Sequence, residues 1–185
     1  MKTPFDFVKM EKHVPDEVCD LLVSSCSDWQ GALVLDAGEN FNKKLLDETR
    51  ISDVHWIENE FWKQCFLSIV RNLNYNTFDF DINTIESLQL TRYVAPNGHY
   101  EFHQDGNGYI PIKNDMVRKI SISVGLNDDY EGGEFEYMVD QHPRAIQLGK
   151  GDIIIFPSYL LHRVKPVTKG TRYSLVAWTL GSPLK

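Results

Sequence analysis

The chain has 185 residues, 42% of them apolar and 24% charged, with a net charge of −7; that length suits a single domain, 1–185, able to bury a sizeable core. The balance is that of a soluble globular protein, and it excludes a spanning helix, because no stretch approaches the roughly 18 consecutive apolar residues that one needs. The acidic surplus sets nucleic acid aside as a partner, since nonspecific affinity for it comes from basic surface.

The N-terminal "MKTPFDFVKMEK" is broken by Pro4, Asp6 and Lys9, so it lacks the apolar centre and small-residue cleavage site of a secretory signal. The expected location is the cytoplasm. Cys19, Cys26 and Cys65 are odd in number and widely spaced, which suits reduced thiols better than a disulfide framework or a cysteine zinc site. No motif dictates an oligomeric state.

Residues 1–83 read as a mixed, partly helical support. In "VPDEVCDLLVSSC", Pro15 stands at a first helical position, Asp16 and Glu17 occupy the opening turn, and Val18, Leu21 and Leu22 share a face. This predicts a helix over about 15–27. Next, "GALVLDAGENFNKKLLDETR" reads as a short strand and an exposed loop, either a lid near a site or a plain connector. In "SDVHWIENEFWKQCFLSIVRNL", Trp56, Ile57, Phe61, Cys65 and Ile69 recur at helical spacing behind Ser52 or Asp53 as cap, predicting a second, longer helix.

From about residue 84, short β-branched and aromatic segments alternate with Gly, Pro, Asn and Asp turns, the pattern of a sandwich or barrel. Eight strands are expected: 85–95, 99–104, 118–126, 133–139, 144–148, 152–156, 160–166 and 171–180. The helices would cover one outer face of this core. "NDDYEGGE" lacks the spacing of a calcium loop and reads as a solvated hairpin, with Gly132 and Gly133 letting strands bend.

The chemistry begins in "YEFHQDGNGY". Side chains in a strand have a period of two, so His103 and Asp105 project from one face while Gln104 points away. An imidazole and a carboxylate make two ligands; a histidine from another strand would complete the facial arrangement suited to non-haem Fe(II). A lone His-x-Asp carries little specificity. His162, in "FPSYLLHRVKPV", is a candidate third ligand, whereas His99 and His142 lie beside turns and His13 and His55 precede or enter the helices. In "TRYSLVAW", Arg172, Ser174, Val176 and Trp178 share one face. A cation on an inward strand position needs an anion, either an acidic residue of the protein or a bound carboxylate.

Taken in order, "HQD", His162 and Arg172 resemble the 2-oxoglutarate- and Fe(II)-dependent oxygenases, and within them the prolyl 4-hydroxylase-like group. "QLTRYVAPNGHYEFHQD" is similar to that group's run into its His-x-Asp, "RKISISVGLNDDYEGGEFEY" to its central strands and "GDIIIFPSYLLHRVKPVTKGTRYSLVAW" to its closing strands. The likeness covers about 84–180 strongly and "DETRISDVHWI" weakly.

It implies a mainly β fold with flanking helices (α+β): a double-stranded β-helix, a cupin-like jelly roll, of eight core strands with N-terminal helices on one face. It also implies that His103, Asp105 and His162 bind Fe(II) and that Arg172 holds the distal carboxylate of 2-oxoglutarate. By the same likeness Tyr93 reaches the cosubstrate region and Trp178 lines it, core packing being the other reading of both. Some prolyl hydroxylases assist the arginine with a tyrosine on the strand that here reads Ser123, Val124 and Gly125. Ser174 or Thr91 would take that part.

The implied reaction converts 2-oxoglutarate and O2 to succinate and CO2 while hydroxylating an unactivated carbon, with ascorbate in a supporting role. The expected substrate is a prolyl residue of a peptide or protein, gripped by the 106–117 segment with Tyr109 as anchor. Another side chain, a free amino acid or a nucleic-acid methyl group are alternatives within the chemistry. A non-catalytic cupin-like module with a structural metal is the alternative outside it, and such a module has no use for Arg172.

Overall fold

The computed structural model describes residues 7–32 and 48–184. The first part of the chain forms β1 (Val8–Met10), α1 (Asp16–Ser24), β2 (Gln30–Gly31), β3 (Arg50–Ile51), β4 (Asp53–Ile57) and α2 (Glu60–Asn76). There follow β5 (Thr84–Ile85), β6 (Leu88–Val94), β7 (His99–His103), β8 (Val117–Gly125), β9 (Glu131–Gly132) and β10 (Phe135–Val139). The chain closes with β11 (His142–Ile146), β12 (Ile153–Pro157), β13 (His162–Val164), β14 (Val167–Lys169) and β15 (Thr171–Gly181).

Among the described residues, an eight-stranded sheet runs in the order β1, β12, β8, β15, β6, β4, β2, with β5 also paired to β15. A five-stranded sheet runs β11, β10, β13, β7, β3, and β14 pairs with β9. The pairings are antiparallel, and the whole is a double-stranded β-helix with helices on its outside.

Alternation along the central strands separates two chemistries. Register sets Ile155, Ile122 and Ala177 side by side, and likewise Ile153, Val124, Leu175 and Leu90. These residues pack in one cluster with Cys19 and Leu22 of α1 and Phe66, Leu67 and Val70 of α2, so both helices lie on the outer face of the large sheet. The other parity faces inward and carries polar groups: Ser121 beside Trp178, Ser123 beside Val176, Ser174 beside Thr91, and Arg172 beside Tyr93. A strand buried on both faces yet serine-rich on one of them is a core wall that is also the floor of a site.

The expected strands match β5 with β6, then β7, β8, β10, β11, β12, β13 and β15; the first expected strand is interrupted between Ile85 and Leu88. The expected second helix is corrected at its start. Residues 53–57 form β4, which extends the large sheet by pairing with β6, and the helix starts at Glu60. Its cap is Asn59, whose Oδ1 accepts the Trp62 N–H at 3.2 Å, and not Ser52 or Asp53. Val54 and Trp56 alternate as strand residues do while Trp56, Ile57 and Phe61 fit a helical period, and the open edge of β6 decides between the two. His55 therefore sits on a strand, its Nδ1 3.0 Å from the Asp28 carbonyl. The expected loop over 31–50 lies mostly outside the described residues.

Candidate active site

β7 ends at His103 and β13 begins at His162, and the two histidines are direct partners across the small sheet, their rings 4.2 Å apart. Asp105, two residues past the end of β7, turns its carboxylate between them. Its Oδ1 lies 3.6 Å from His103 Nε2 and its Oδ2 lies 3.5 Å from His162 Nε2. The ligand atoms of the three residues all fall within 4.8 Å of one another, which is the spacing of groups able to hold one cation.

Both imidazoles are oriented in the same way. His103 Nδ1 is 2.8 Å from the Glu101 carbonyl and His162 Nδ1 is 2.8 Å from the Leu160 carbonyl. A carbonyl only accepts, so each Nδ1 carries the proton and each Nε2 keeps its lone pair toward Asp105. Aromatic rings fix the planes: His103 stacks on Tyr100 at 3.5 Å, and His162 lies between Phe135 and Phe156. Arg50 covers the far face of Tyr100 at 4.5 Å, and burial pushes that phenol up to about 12.

Burial alone would raise the Asp105 carboxyl, but His162, His103 and the Ser121 hydroxyl outweigh it and hold the group well below the usual carboxylate range. Burial pushes His162 down to about 4 against the pull of Asp105. At neutral pH the cluster therefore presents a carboxylate and a neutral His162, the forms that bind a metal. Two imidazoles and one carboxylate suit Fe(II) and leave coordination positions open.

On the large sheet, Arg172 is 1% exposed. Its Nη1 donates to Ser174 Oγ at 3.0 Å, its guanidinium lies 5.4 Å from the centre of the Tyr93 ring, and its Nε has no hydrogen-bond partner among the described residues. Among the described residues no carboxylate pairs with it. Gly133 adopts φ of +66°, and a Cβ there would stand 3.0 Å from Arg172 Cδ, so this glycine makes room for the side chain. Of the two hydroxyls expected near Arg172, Ser174 is in contact, while Thr91 donates to Gln89 Oε1. Trp178 is buried with its Nε1 unpartnered among the described residues, and Arg118 stacks on its ring at 4.0 Å. Tyr109 stands 65% exposed beyond Asp105 with its neighbour Ile110.

Several residues that shape the site escaped the sequence reading. Arg118 donates to the Asp105 carbonyl at 3.2 Å and binds Glu86 through two hydrogen bonds, and Ser121 donates to Asp105 Oδ2 at 2.7 Å. For Ser121 the signal was present: "SIS" at 121–123 puts hydroxyls on one face and isoleucine on the other.

This fold and site define a class. A family model described as the 2OG-Fe(II) oxygenase superfamily matches residues 88–180, and the chain belongs to that superfamily. Its curated relatives include PKHD-type hydroxylases of Idiomarina loihiensis, 39% identical over 96 residues, and of Sphingopyxis alaskensis, 35% identical over 115 residues. The matches take in 51% and 60% of this chain but only 42% and 50% of those proteins, so the chain spans about half their length. Among solved structures, a Pseudomonas putida prolyl-4-hydroxylase superposes with a TM-score of 0.72 at 16% identity, covering 94% of this chain and 91% of that one. The viral collagen prolyl hydroxylase of Paramecium Bursaria Chlorella virus-1 gives 0.71 at 22%, covering 96% and 97%. At such identities the likeness is one of fold.

Proposed function

We propose that this chain is an Fe(II)- and 2-oxoglutarate-dependent dioxygenase that hydroxylates an unactivated carbon, with a prolyl residue of a peptide or protein as its substrate. The observation that carries the reading is Arg172: a buried guanidinium with, among the described residues, a single hydroxyl partner, in the same interior as two imidazoles and a carboxylate. A protein gains nothing from such a cation unless a carboxylate arrives to meet it.

In this reading His103, Asp105 and His162 hold the iron. Arg172 and Ser174 grip the distal carboxylate of 2-oxoglutarate, Tyr93 forms the floor under the guanidinium, and Trp178 lines the adjoining wall. When bound, iron and 2-oxoglutarate supply O2 activation, yielding succinate and CO2. The protein supplies orientation: paired strands fix both imidazoles, and Phe135 and Phe156 keep water from His162. Tyr109 and Ile110, exposed just beyond the metal strand, offer an apolar grip for a peptide.

The prolyl substrate is supported by the hydroxylase names of the relatives and by the prolyl hydroxylases of like fold, one of them solved with a peptide fragment of a hypoxia inducible factor. Cys19, Cys26 and Cys65 are free thiols, which suits the reducing cytoplasm. Among the described residues no helix is long and apolar enough to cross a membrane.

The test is succinate release. Wild-type protein given Fe(II), ascorbate and 2-oxoglutarate forms succinate, more so with a proline-containing peptide library, and mass spectrometry locates one added oxygen on a prolyl residue. His103→Ala forms at least about 100-fold less. No succinate from the wild type under any of these conditions overturns the oxygenase reading; oxygen found on another residue overturns only the substrate.

A further inference from the structure

Ser121 is fully buried on the inner face of β8, level with Phe156 on one side and Trp178 on the other. Its Oγ lies 2.7 Å from Asp105 Oδ2 and 3.0 Å from Ser158 Oγ, and Ser158 is fully buried too. One hydroxyl has one proton to give, and an ionised carboxylate only accepts. Ser121 therefore donates to Asp105 and receives from Ser158. The two hydroxyls form a directed chain that ends on the carboxylate.

Ser158 occupies the turn between β12 and β13, just before the strand that opens with His162. Its carbonyl accepts the Gly106 N–H at 3.1 Å and its own N–H donates to the Lys119 carbonyl at 3.0 Å. Next to it, the Tyr159 carbonyl accepts from Gln104 Nε2 at 2.5 Å. The residues on either side of Asp105 are thus tied to the turn that leads to His162, and Ser121 ties in the carboxylate itself. Together these bonds join two segments that lie far apart in the chain, Gln104 and Tyr159 being separated by 55 positions, into one unit.

We propose that Ser121, backed by Ser158, is a positioning residue for the metal centre. A carboxylate with one oxygen occupied by a fixed donor cannot turn about its Cβ–Cγ bond, so it meets the ion in one orientation. The inference rests on the reading of His103, Asp105 and His162 as the metal ligands. Hydrogen-bond partners of ligands commonly change metal affinity by about 10- to 100-fold when removed.

The experiment is titration of the metal-free protein with Co(II), followed by its visible absorption, alongside thermal melts of each metal-free variant to confirm folding. Ser121→Ala is expected to raise the dissociation constant about 10- to 100-fold and to shift the Co(II) bands, because the carboxylate re-orients. Ser158→Ala should raise it only about threefold, since Asp105 keeps its direct donor. Because Ser158 acts through Ser121, the double variant should bind no more weakly than Ser121→Ala alone. Ser121→Ala binding as tightly as wild type with unchanged bands, or losses that add in the double variant, would overturn the inference. Wild type that takes up no Co(II) would instead overturn the metal-site reading beneath it.

Discussion

Around His103, Asp105 and His162 the protein supplies its own counterweights: backbone carbonyls orient both imidazoles, Ser121 donates to the carboxylate, and Arg118 holds its backbone. Arg172 has almost none of this. Among the described residues, one hydroxyl and the face of Tyr93 are its company, and Nε is left without an acceptor. A metal needs its ligands already fixed, whereas a dianion needs a charge that the apoprotein has not neutralised. On the proposed reading, the metal end is braced before ligand arrives, and the arginine end stays unneutralised until it does.

Arg172→Met should break this comparison most sharply. The methionine is of similar length and apolar, so the free protein should gain about 1–3 kcal/mol in a denaturant titration, while the 2-oxoglutarate KM rises about 100-fold or more. Co(II) binding should stay near wild type. A loss of about 3–5 kcal/mol instead, the signature of a broken buried ion pair, would show that Arg172 has a protein carboxylate after all.

The metal end has its own signature in pH. Burial holds His162 near 4, below the value of about 6.5 it would have unfolded. The unfolded chain therefore takes up a proton first, and stability is lost as pH falls from about 6.5 toward 4. Asp105, held below the usual range, adds a further loss only once pH falls under its unfolded value of about 3.9. Across the first window the metal-free protein should lose on the order of 2 kcal/mol in denaturant titrations, and His162→Gln should remove most of that slope. An equal slope in the variant would mean that His162 is not the group being strained.

What the sequence made legible follows the same division. Strand periodicity exposed the core strands, and alternation on β15 put Arg172 and Ser174 on one shared face, because each fact is local to a few residues. The pairing of His103 with His162 followed from a resemblance, since no local rule joins positions 59 residues apart. β4 was misjudged because Val54 and Trp56 fit a strand's period while Trp56, Ile57 and Phe61 fit a helix's, and the deciding partner, β6, comes about thirty residues later. Ser158 and Arg118 were invisible as site residues for a related reason, and the alternation that set Ser121 on a hydroxyl face did not say what that face meets. Their meaning lies in bonds that reach Asp105 directly or through Ser121, and one serine looks like any other until the sheets are brought face to face.

Ser174→Ala tests the finest part of the comparison. Ser174 and Thr91 are paired across β15 and β6 and both face inward, so either could serve the guanidinium. The Thr91 proton is already committed to Gln89 Oε1, which also accepts from Arg50. Removing the Ser174 hydroxyl thus leaves Arg172 with no hydrogen-bond partner among the described residues, but its charge, the larger part of the proposed grip, stays in place. The 2-oxoglutarate KM should rise about three- to tenfold, worth roughly 1 kcal/mol, with kcat unchanged. Thr91→Val should leave KM within about twofold of wild type, provided Gln89 keeps its bond from Arg50. Equal effects of the two variants would mean that both hydroxyls share the guanidinium once cosubstrate is bound, and that the arginine end is better braced than its free form.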